Sequence, residues 1–304
     1  MKGKNVMKNK ISGKIVALLL TLIIVATSGM PLYAKETGDK ANSFRYENGQ
    51  SIAKAVPFST LSPNAWKKID GKYYSGDGSV IEGAVAKGID VSHHQGTVDW
   101  KKAKEDGVEF AIIRCGFGMN QTKQDDAQWF NNVKGCEENN IPYGVYLYSY
   151  ADTVKKAQSE AEHVLRLIKG HTLAYPVYYD IEEKAVLNKL TAEQLGKIAA
   201  TFVNKVKAEG YQTGIYSNKS NFETFLTDSQ FSQWNKWVAQ YNSAACTYKG
   251  TYQIWQAADT GTIDGVNGAV DINFAMKTTS SSDNNPGTPT EKPATSATKP
   301  TTTA

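Results

Sequence analysis

The sequence has few of the residues on which redox, metal or nucleotide chemistry depends. Only 3 cysteines and 4 histidines occur among 304 residues, and no two cysteines form a C-x-x-C pair. A disulfide scaffold or a thiolate metal site is therefore not expected. We expect isolated buried thiols, with a Cys115–Cys136 bridge as the alternative. The sequence also lacks a serine-centred elbow, a phosphate-binding glycine loop and a nucleotide fingerprint, so no cofactor is expected.

The chain also lacks the lasting positive charge that a nucleic-acid partner requires. Its formal net charge is +4, but five lysines without any acid lie at positions 2, 4, 8, 10 and 14, so the rest of the chain carries −1. Phosphate binding needs a basic surface on the mature protein. We therefore expect no nucleic-acid partner.

Residues 1–34 have the three parts of a secretory signal peptide. The lysines come first, the apolar run IVALLLTLIIVAT follows and is short for a membrane span, and Ala34 ends a plausible cleavage site. An uncleaved N-terminal anchor is the alternative. We expect a secreted protein, extracellular or cell-wall associated, with no stable membrane insertion after cleavage.

Two polar segments flank a central domain. Residues 35–85 are weakly patterned and are expected to form an N-terminal linker. Within it, residues 65–84 have paired aromatics and Gly-Asp-Gly turn signals that predict a short hairpin. This stretch resembles one copy of the aromatic-glycine repeats of cell-wall-binding modules, and a leader that packs on the next domain is the alternative. Residues 277–304 are rich in Thr, Pro and Ser, which predicts an extended linker or tail.

The central domain, residues 86–276, alternates strand-like and helix-like segments. Five continuous apolar runs are each followed by a helical pattern, and three further runs have only short connections. This order predicts an irregular TIM-like α/β barrel, with about five βα units followed by three strands with few helices. A doubly wound open sheet is the alternative. The eight runs cover 86–92, 110–116, 143–150, 175–182, 212–218, 236–241, 252–258 and 270–275.

Carboxylates fall where these strands end. Asp180 and Glu182 are two residues apart at the end of the fourth run, so alternation predicts that they share a face. Asp90 ends the first run, and Asp271 falls in the last, which becomes its neighbour when the barrel closes. In a parallel barrel the chemistry lies at the carboxyl ends of the strands, so we expect these four acids on one rim. Glu183 is interpreted as a helix cap or a solvated loop charge. Crowding against aromatic walls should raise the pKa of at least one acid, as a general acid for glycosidic bond cleavage requires.

Aromatic side chains surround these acids, as in many sugar-binding grooves. Alternation along the strands allows only some of them to face the groove. The residues predicted to contact substrate are Tyr148, Tyr150, Tyr216, Trp237, Tyr241 and Arg114.

A zinc site at His93 and His94 would indicate a metal-dependent deacetylase instead. We do not favour it, because adjacent side chains in an extended segment point apart and the other histidines lie away from the rim.

Four segments together resemble the glycoside hydrolase family 25 lysozymes, which are N-acetylmuramidases. They are KGIDVSHHQGTVDWKKAKEDGVEFAIIRCGFG, IPYGVYLYSYA, YPVYYDIEE and GAVDINFA, and the resemblance covers about 190 residues.

The resemblance implies a trimmed β/α barrel that cleaves the β-1,4 bond between N-acetylmuramic acid and N-acetylglucosamine. It implies Glu182 as general acid, Asp180 as its partner, and Asp90 and Asp271 as the remaining acids of the site. The expected partner is a peptidoglycan glycan strand, bound by a monomer. A non-catalytic wall-binding protein is the alternative in a different class.

Overall fold

Continuous apolar runs form the strands of a closed eight-stranded barrel. The computed structural model describes residues 46–47, 50–51, 61–241 and 243–277. Two antiparallel pairs precede the barrel: β1 (Tyr46–Glu47) with β2 (Gln50–Ser51), and β3 (Lys68–Ile69) with β4 (Lys72–Tyr73). The barrel strands are β5 (Ala84–Val91), β6 (Phe110–Phe117), β7 (Tyr143–Tyr148), β8 (Val177–Asp180), β9 (Thr213–Asn218), β10 (Asn235–Ala239), β11 (Ile254–Gly261) and β12 (Val270–Met276).

The strands close in chain order, from β5 through β12 and back to β5. Neighbours from β5 to β11 are parallel, whereas β12 is antiparallel to both β11 and β5. The predicted TIM-like barrel is therefore confirmed. Its last strand departs from the parallel arrangement of the others, because the short connection after β11 turns the chain back on itself.

Helices follow each of the first five barrel strands, as predicted. They are α1 (Trp100–Glu105), α2 (Trp129–Glu138), α3 (Val154–Ile168), α4 (Lys184–Leu187), α5 (Ala192–Ala208) and α6 (Lys219–Thr224). Helix α5 begins with a capping box, in which Thr191 and Gln194 exchange side-chain to backbone hydrogen bonds. Within the described residues after β10 and after β11 there is no helix.

Alternation along the strands separates two hydrophobic clusters. Tyr178 faces into the barrel and is fully buried there, while the next residue, Tyr179, stacks on Phe202 of α5 with ring centroids 3.9 Å apart. One cluster therefore fills the barrel interior, and the other joins the outer face of the strands to the helices. Burial on both faces explains why the strands read as unbroken apolar runs.

A short hairpin precedes the barrel, and it packs on the outer face of β12. Strands β3 and β4 turn at Asp70 and Gly71, whose φ angles of 48° and 76° suit an Asp-Gly two-residue turn. The Gly-Asp-Gly of residues 76–78 forms a second turn, in which the Gly78 N–H donates to Ser75 O at 3.0 Å and Tyr74 pairs with Val80 in an antiparallel bridge. Trp66 and Tyr73 both contact Phe274, with ring centroids 6.1 and 5.7 Å away.

All three cysteines are free, and Cys115 and Cys136 are buried, which confirms the expectation of isolated thiols. Among the described residues, none of the helices is both long and apolar enough to cross a membrane. The predicted signal peptide and nearly all of the predicted tail lie outside the described residues.

Candidate active site

Four carboxylates lie at the ends of strands β5, β8 and β12. Asp90 is the next-to-last residue of β5, Asp180 is the last residue of β8, and Glu182 follows two residues later. Asp271 is the second residue of β12 and lies opposite Asp90 in the pairing of β12 with β5. The exposed fractions of the four residues are only 4%, 2%, 7% and 7%, respectively.

The antiparallel direction of β12 is what brings Asp271 to this rim. The start of β12 lies beside the carboxyl end of β5 because the two strands run in opposite directions. In a parallel strand the same position would lie at the other end of the barrel. The position of Asp271 at this rim therefore depends on the direction of β12 as much as on the sequence of the strand.

Tyr146, on strand β7, is influenced by most of the charged groups of the site. Desolvation of its densely surrounded hydroxyl raises the pKa of Tyr146 well above its ordinary value, and the charges of Arg114, Asp90, Asp180 and Asp271 also act on it. Coulombic interactions weaken with distance. The three acids and the arginine, which come from four strands, therefore all influence one tyrosine that was not among the predicted site residues.

Two amide side chains hold Asp90. Gln256 Nε2 and Asn273 Nδ2 both donate to Asp90 Oδ2, at 2.7 and 2.8 Å. Bonds of this kind to a carboxylate are stronger than those between neutral groups. Asp90 is therefore an acceptor that two donors hold in place within the site.

The orientation of both amides follows from their other partners. Trp237 Nε1 donates to Asn273 Oδ1 at 2.8 Å, and an indole can only donate, so the Asn273 amide nitrogen must face Asp90. Gln256 Oε1 accepts from the hydroxyls of Tyr216 and Tyr241, at 2.8 and 2.5 Å.

Three residues predicted to contact substrate therefore support Asp90 through these amides. Trp237 is only 1% exposed and packs on Tyr216 with ring centroids 4.3 Å apart. It packs in the barrel interior, and its contact with substrate stays a prediction. Tyr216 is similarly enclosed, whereas Tyr241 keeps a partly exposed face.

Arg114 points inward from β6 and is paired with Asp126. Arg114 Nε donates to Asp126 Oδ2 at 2.8 Å, and its terminal nitrogen also contacts His93 Nδ1. The backbone N–H groups of His93 and Gln128 donate to the same carboxylate, at 3.0 and 2.8 Å. Arg114 was predicted to bind substrate, and the structure gives it an anchoring partner that was not predicted.

These partners keep Asp126 ionised by lowering its pKa. Burial alone would raise the pKa of Asp126, but the Arg114 guanidinium and the donors from His93 and Gln128 outweigh it and hold that pKa well below its usual range. Asp126 is therefore ionised wherever the protein is folded at ordinary pH.

Tyr148 and Tyr150 lie beside the acids at the end of β7. Their rings are 5.1 Å apart, and Tyr150 also packs edge-on against Phe117 at 6.2 Å. The Tyr148 hydroxyl donates to Glu183 Oε2 at 3.2 Å. Glu183 is the N-cap of α4, where its side chain accepts from the Ala185 N–H, so its interpretation as a helix cap is confirmed.

The two adjacent histidines do not lie in an extended segment. His93–Gln95 is a short 3₁₀ helix capped by Ser92, and the rings of His93 and His94 are 4.0 Å apart. The two side chains therefore do not point apart as predicted. Within the described part of the chain, no group of three or more His, Cys, Asp or Glu side chains is arranged to hold a metal ion.

This arrangement can support acid and base chemistry on a glycosidic bond. It offers carboxylates of low exposure, one of them fixed by two donors, next to tyrosines that can line a sugar-binding groove. The rise in pKa expected for at least one of the four acids stays a prediction.

The predicted site residues do not include Gln256, Asn273, Asp126 or Tyr146. Two of them carried a signal. Asn273 follows Asp271 by two residues and so shares its inward face, and Tyr146 alternates with Tyr148 in the same way. Asp126 lies in a loop, where no periodic pattern exists to identify it.

Comparison with known proteins assigns the chain to a family. A closed β/α barrel with carboxylates at its carboxyl-end rim is the architecture of many glycoside hydrolases. The model of the glycosyl hydrolases family 25 matches residues 89–266, which is more than half of the chain. The chain belongs to this family.

Relatives with known names support the assignment. The uncharacterized protein YegX of Escherichia coli K12 is 31% identical over 193 residues, which are 61% of this chain and 68% of YegX. The autolytic lysozyme of Clostridium acetobutylicum is 27% identical over 186 residues, or 61% of this chain and 54% of that protein.

A solved structure is similar over a comparable length. The modular autolysin LytC of Streptococcus pneumoniae, in complex with a synthetic peptidoglycan ligand, has a TM-score of 0.60 and 31% sequence identity. The match covers 69% of this chain and 52% of LytC. The chain therefore spans only about half the length of LytC.

Proposed function

We propose that the chain is a lysozyme that cleaves the β-1,4 bond between N-acetylmuramic acid and N-acetylglucosamine in peptidoglycan. The observation that carries this proposal is the set of buried carboxylates at the rim of a family 25 barrel. The names of two relatives support the substrate, since one is an autolytic lysozyme and the other was solved with a peptidoglycan ligand.

Each acid has a separate role in this proposal. Glu182 protonates the leaving oxygen as general acid and then deprotonates water as general base. Asp180 orients and charge-stabilises the reacting sugar. Asp90 and Asp271 complete the negative floor, and the two amide donors keep Asp90 from moving. Tyr148, Tyr150 and Tyr241 line the groove.

The nucleophile we propose is the 2-acetamido oxygen of the substrate. Asp180 would orient that group while Glu182 protonates the leaving oxygen, which gives retention of configuration. NMR of the product anomers in the first seconds of turnover measures this outcome. Initial formation of the inverted anomer would rule the mechanism out.

The first experiment digests purified peptidoglycan with residues 35–304 and with the Glu182→Gln variant. Borohydride reduction followed by mass spectrometry then identifies the new reducing ends. Reduced muramic acid from the unsubstituted protein alone supports a muramidase that needs Glu182. Reduced glucosamine indicates a glucosaminidase, and cleavage by neither protein favours a non-catalytic wall-binding protein.

If the protein were a metal-dependent deacetylase, the same assay would give a different result. It would release acetate without new reducing ends, and a chelator would abolish that release. Retention of activity in the chelator excludes it.

The remaining proposals concern location and organisation. The protein acts outside the cell or at the wall, as a monomer, with residues 1–34 removed on export and residues 277–304 as a linker or tail. Mass spectrometry of the secreted protein tests the cleavage site, and light scattering tests the monomer.

A further inference from the structure

Three side chains from three different segments meet at the rim that carries the acids. His93 lies in the 3₁₀ helix that follows β5, Arg114 lies on β6, and Asp126 lies in the loop before α2. Asp90 and Ile112 are partners in the pairing of β5 with β6. Arg114 follows Ile112 by two residues and so shares its face of the strand. The cluster therefore lies just beyond Asp90, at the carboxyl end of the barrel.

Asp126 holds both of the other residues. Its Oδ2 accepts from Arg114 Nε at 2.8 Å and from the His93 backbone N–H at 3.0 Å. The Asp126 side chain is fully buried, so these bonds replace the water that its carboxylate loses on folding. Asp126 therefore fixes the Arg114 guanidinium and the backbone of His93 relative to each other.

The contacts of the His93 ring assign its proton to one nitrogen. A terminal nitrogen of Arg114 contacts His93 Nδ1, and a guanidinium can only donate, so Nδ1 accepts. Asp126 Oδ2 is 3.4 Å from the same nitrogen, which is beyond the usual range of about 2.7–3.2 Å for an N–H···O bond. The ring proton is therefore on Nε2.

The His93 ring is the most accessible part of this cluster. Its side chain is 16% exposed, whereas those of Arg114 and Asp126 are 4% and 0% exposed. Ionised carboxylates only accept hydrogen bonds, so the acids of the rim cannot bind the carbonyl oxygen of an acetamido group. A glycan that carries such groups needs donors from the protein, and the Nε2–H of His93 is one.

We propose that His93 is a further substrate-binding residue and that Asp126 is its positioning residue. His93 Nε2–H donates to an acceptor oxygen of the bound glycan. Asp126 holds the backbone of His93 and the guanidinium of Arg114 in the arrangement that keeps the ring proton on Nε2. The inference rests on the proposed function, in which the ligand of this rim is a glycan strand.

The first test measures kcat and KM for soluble glycan fragments of peptidoglycan. His93→Phe keeps an aromatic ring beside His94 and removes both ring nitrogens. We expect KM to rise about three- to tenfold with kcat nearly unchanged, because a hydrogen bond made equally in the ground state and the transition state is lost. Asp126→Asn should raise KM by a similar factor. An unchanged KM in folded His93→Phe overturns the inference.

Asp125→Asn is the matched control, since Asp125 precedes Asp126 in the same loop but faces helix α3. Its Oδ1 accepts from His163 Nε2 at 2.8 Å and from Arg166 at 2.6 Å. We expect this variant to unfold at lower urea concentration while its KM stays that of the unsubstituted protein. A rise in KM equal to that of Asp126→Asn would mean that any loosening of the loop has this effect, and it overturns the inference.

The double variant of His93→Phe and Asp126→Asn separates positioning from a general structural role. If Asp126 acts through His93, the rise in KM of the double variant is smaller than the product of the two single rises. A rise equal to that product overturns the inference.

NMR of the ¹⁵N-labelled protein gives a readout that needs no turnover. A long-range ¹H–¹⁵N spectrum shows which ring nitrogen carries the proton, and the signals absent from His93→Phe identify His93 among the 4 histidines. We expect the proton on Nε2, and a proton on Nδ1 overturns the inference even if Asp126→Asn folds poorly. Failure of the proposed function is recognised separately, because then the unsubstituted protein releases no muramic acid reducing ends.

Discussion

The two ends of the barrel interior are built from different chemistry. At the amino ends of the strands, Phe110 is fully buried and stacks on Tyr175 with ring centroids 4.6 Å apart. At the carboxyl ends, equally low exposure encloses carboxylates such as Asp90 and Asp180. Burial stabilises the first end and costs free energy at the second, since each carboxylate loses water. The comparison predicts that stability and activity can be changed separately along the barrel axis.

Phe110→Ala should have the largest effect on folding. Removing a fully buried aromatic ring leaves a cavity and costs about 3–5 kcal/mol of unfolding free energy. Urea unfolding measures the loss, and activity per folded molecule should remain. A variant that unfolds like the unsubstituted protein would contradict the assignment of this end to stability.

Asp180→Asn, at the carboxyl end of the barrel, should lower activity and leave stability unchanged. In the proposed mechanism Asp180 stabilises the transition state, so its loss should lower kcat by roughly 10²–10³-fold. Stability should be unchanged or slightly increased, because one of several crowded carboxylates is neutralised. Urea unfolding measures the expected stability, and a reducing-end assay measures the expected loss of kcat. A loss of stability as large as that of Phe110→Ala would remove the distinction between the ends.

Glu160, on the outer face of the barrel, tests the cost of burying a carboxylate. It accepts from Tyr179 and Ser149 at 2.5 and 2.8 Å, yet burial raises its pKa from 4.5 to about 7. Below pH 4.5 both states are protonated. As the pH rises toward 7 only the unfolded state ionises, so the unfolding free energy falls, by about 3 kcal/mol in total.

Unfolding at pH 5 and pH 8 measures this loss. Glu160→Gln cannot ionise and should lack it, whereas Glu193→Gln, on the exposed face of α5, should keep it. Equal pH dependence in all three proteins would contradict the expectation.

Tyr73→Phe should have the smallest effect. The Tyr73 hydroxyl donates to Glu109 and lies 3.2 Å from Val85 O, and both contacts join the leader hairpin to the start of the barrel. Their loss costs about 1 kcal/mol and should leave kcat unchanged, because the hairpin packs away from the acid rim. A fall in kcat would show that the hairpin reaches the site.

Most of the fold was predictable because its signals are local. Eight apolar runs predicted the eight strands to within a few residues at each end, and the capping box at Thr191 marked the start of α5. The acids were predictable for the same reason, since a carboxylate that ends an apolar run lies at a strand end.

The supports of the site were not predictable from local patterns. Asp90 accepts from residues 166 and 183 positions further along the chain. Arg114 was identified but its partner Asp126 was not, because the loop that carries Asp126 has no periodic pattern of apolar and polar residues. The ring positions of His93 and His94 were predicted wrongly because a 3₁₀ turn replaced the expected extended chain.

The sequence by itself determined which segments become strands and helices and which strand ends carry acids. These properties depend on residues a few positions apart, where propensity, alternation and capping act. Only the tertiary structure decided the direction of β12, the two donors to Asp90 and the bond from Tyr148 to Glu183. Such contacts exist only once the barrel has closed, because closure sets the register that brings side chains from distant segments within hydrogen-bond reach.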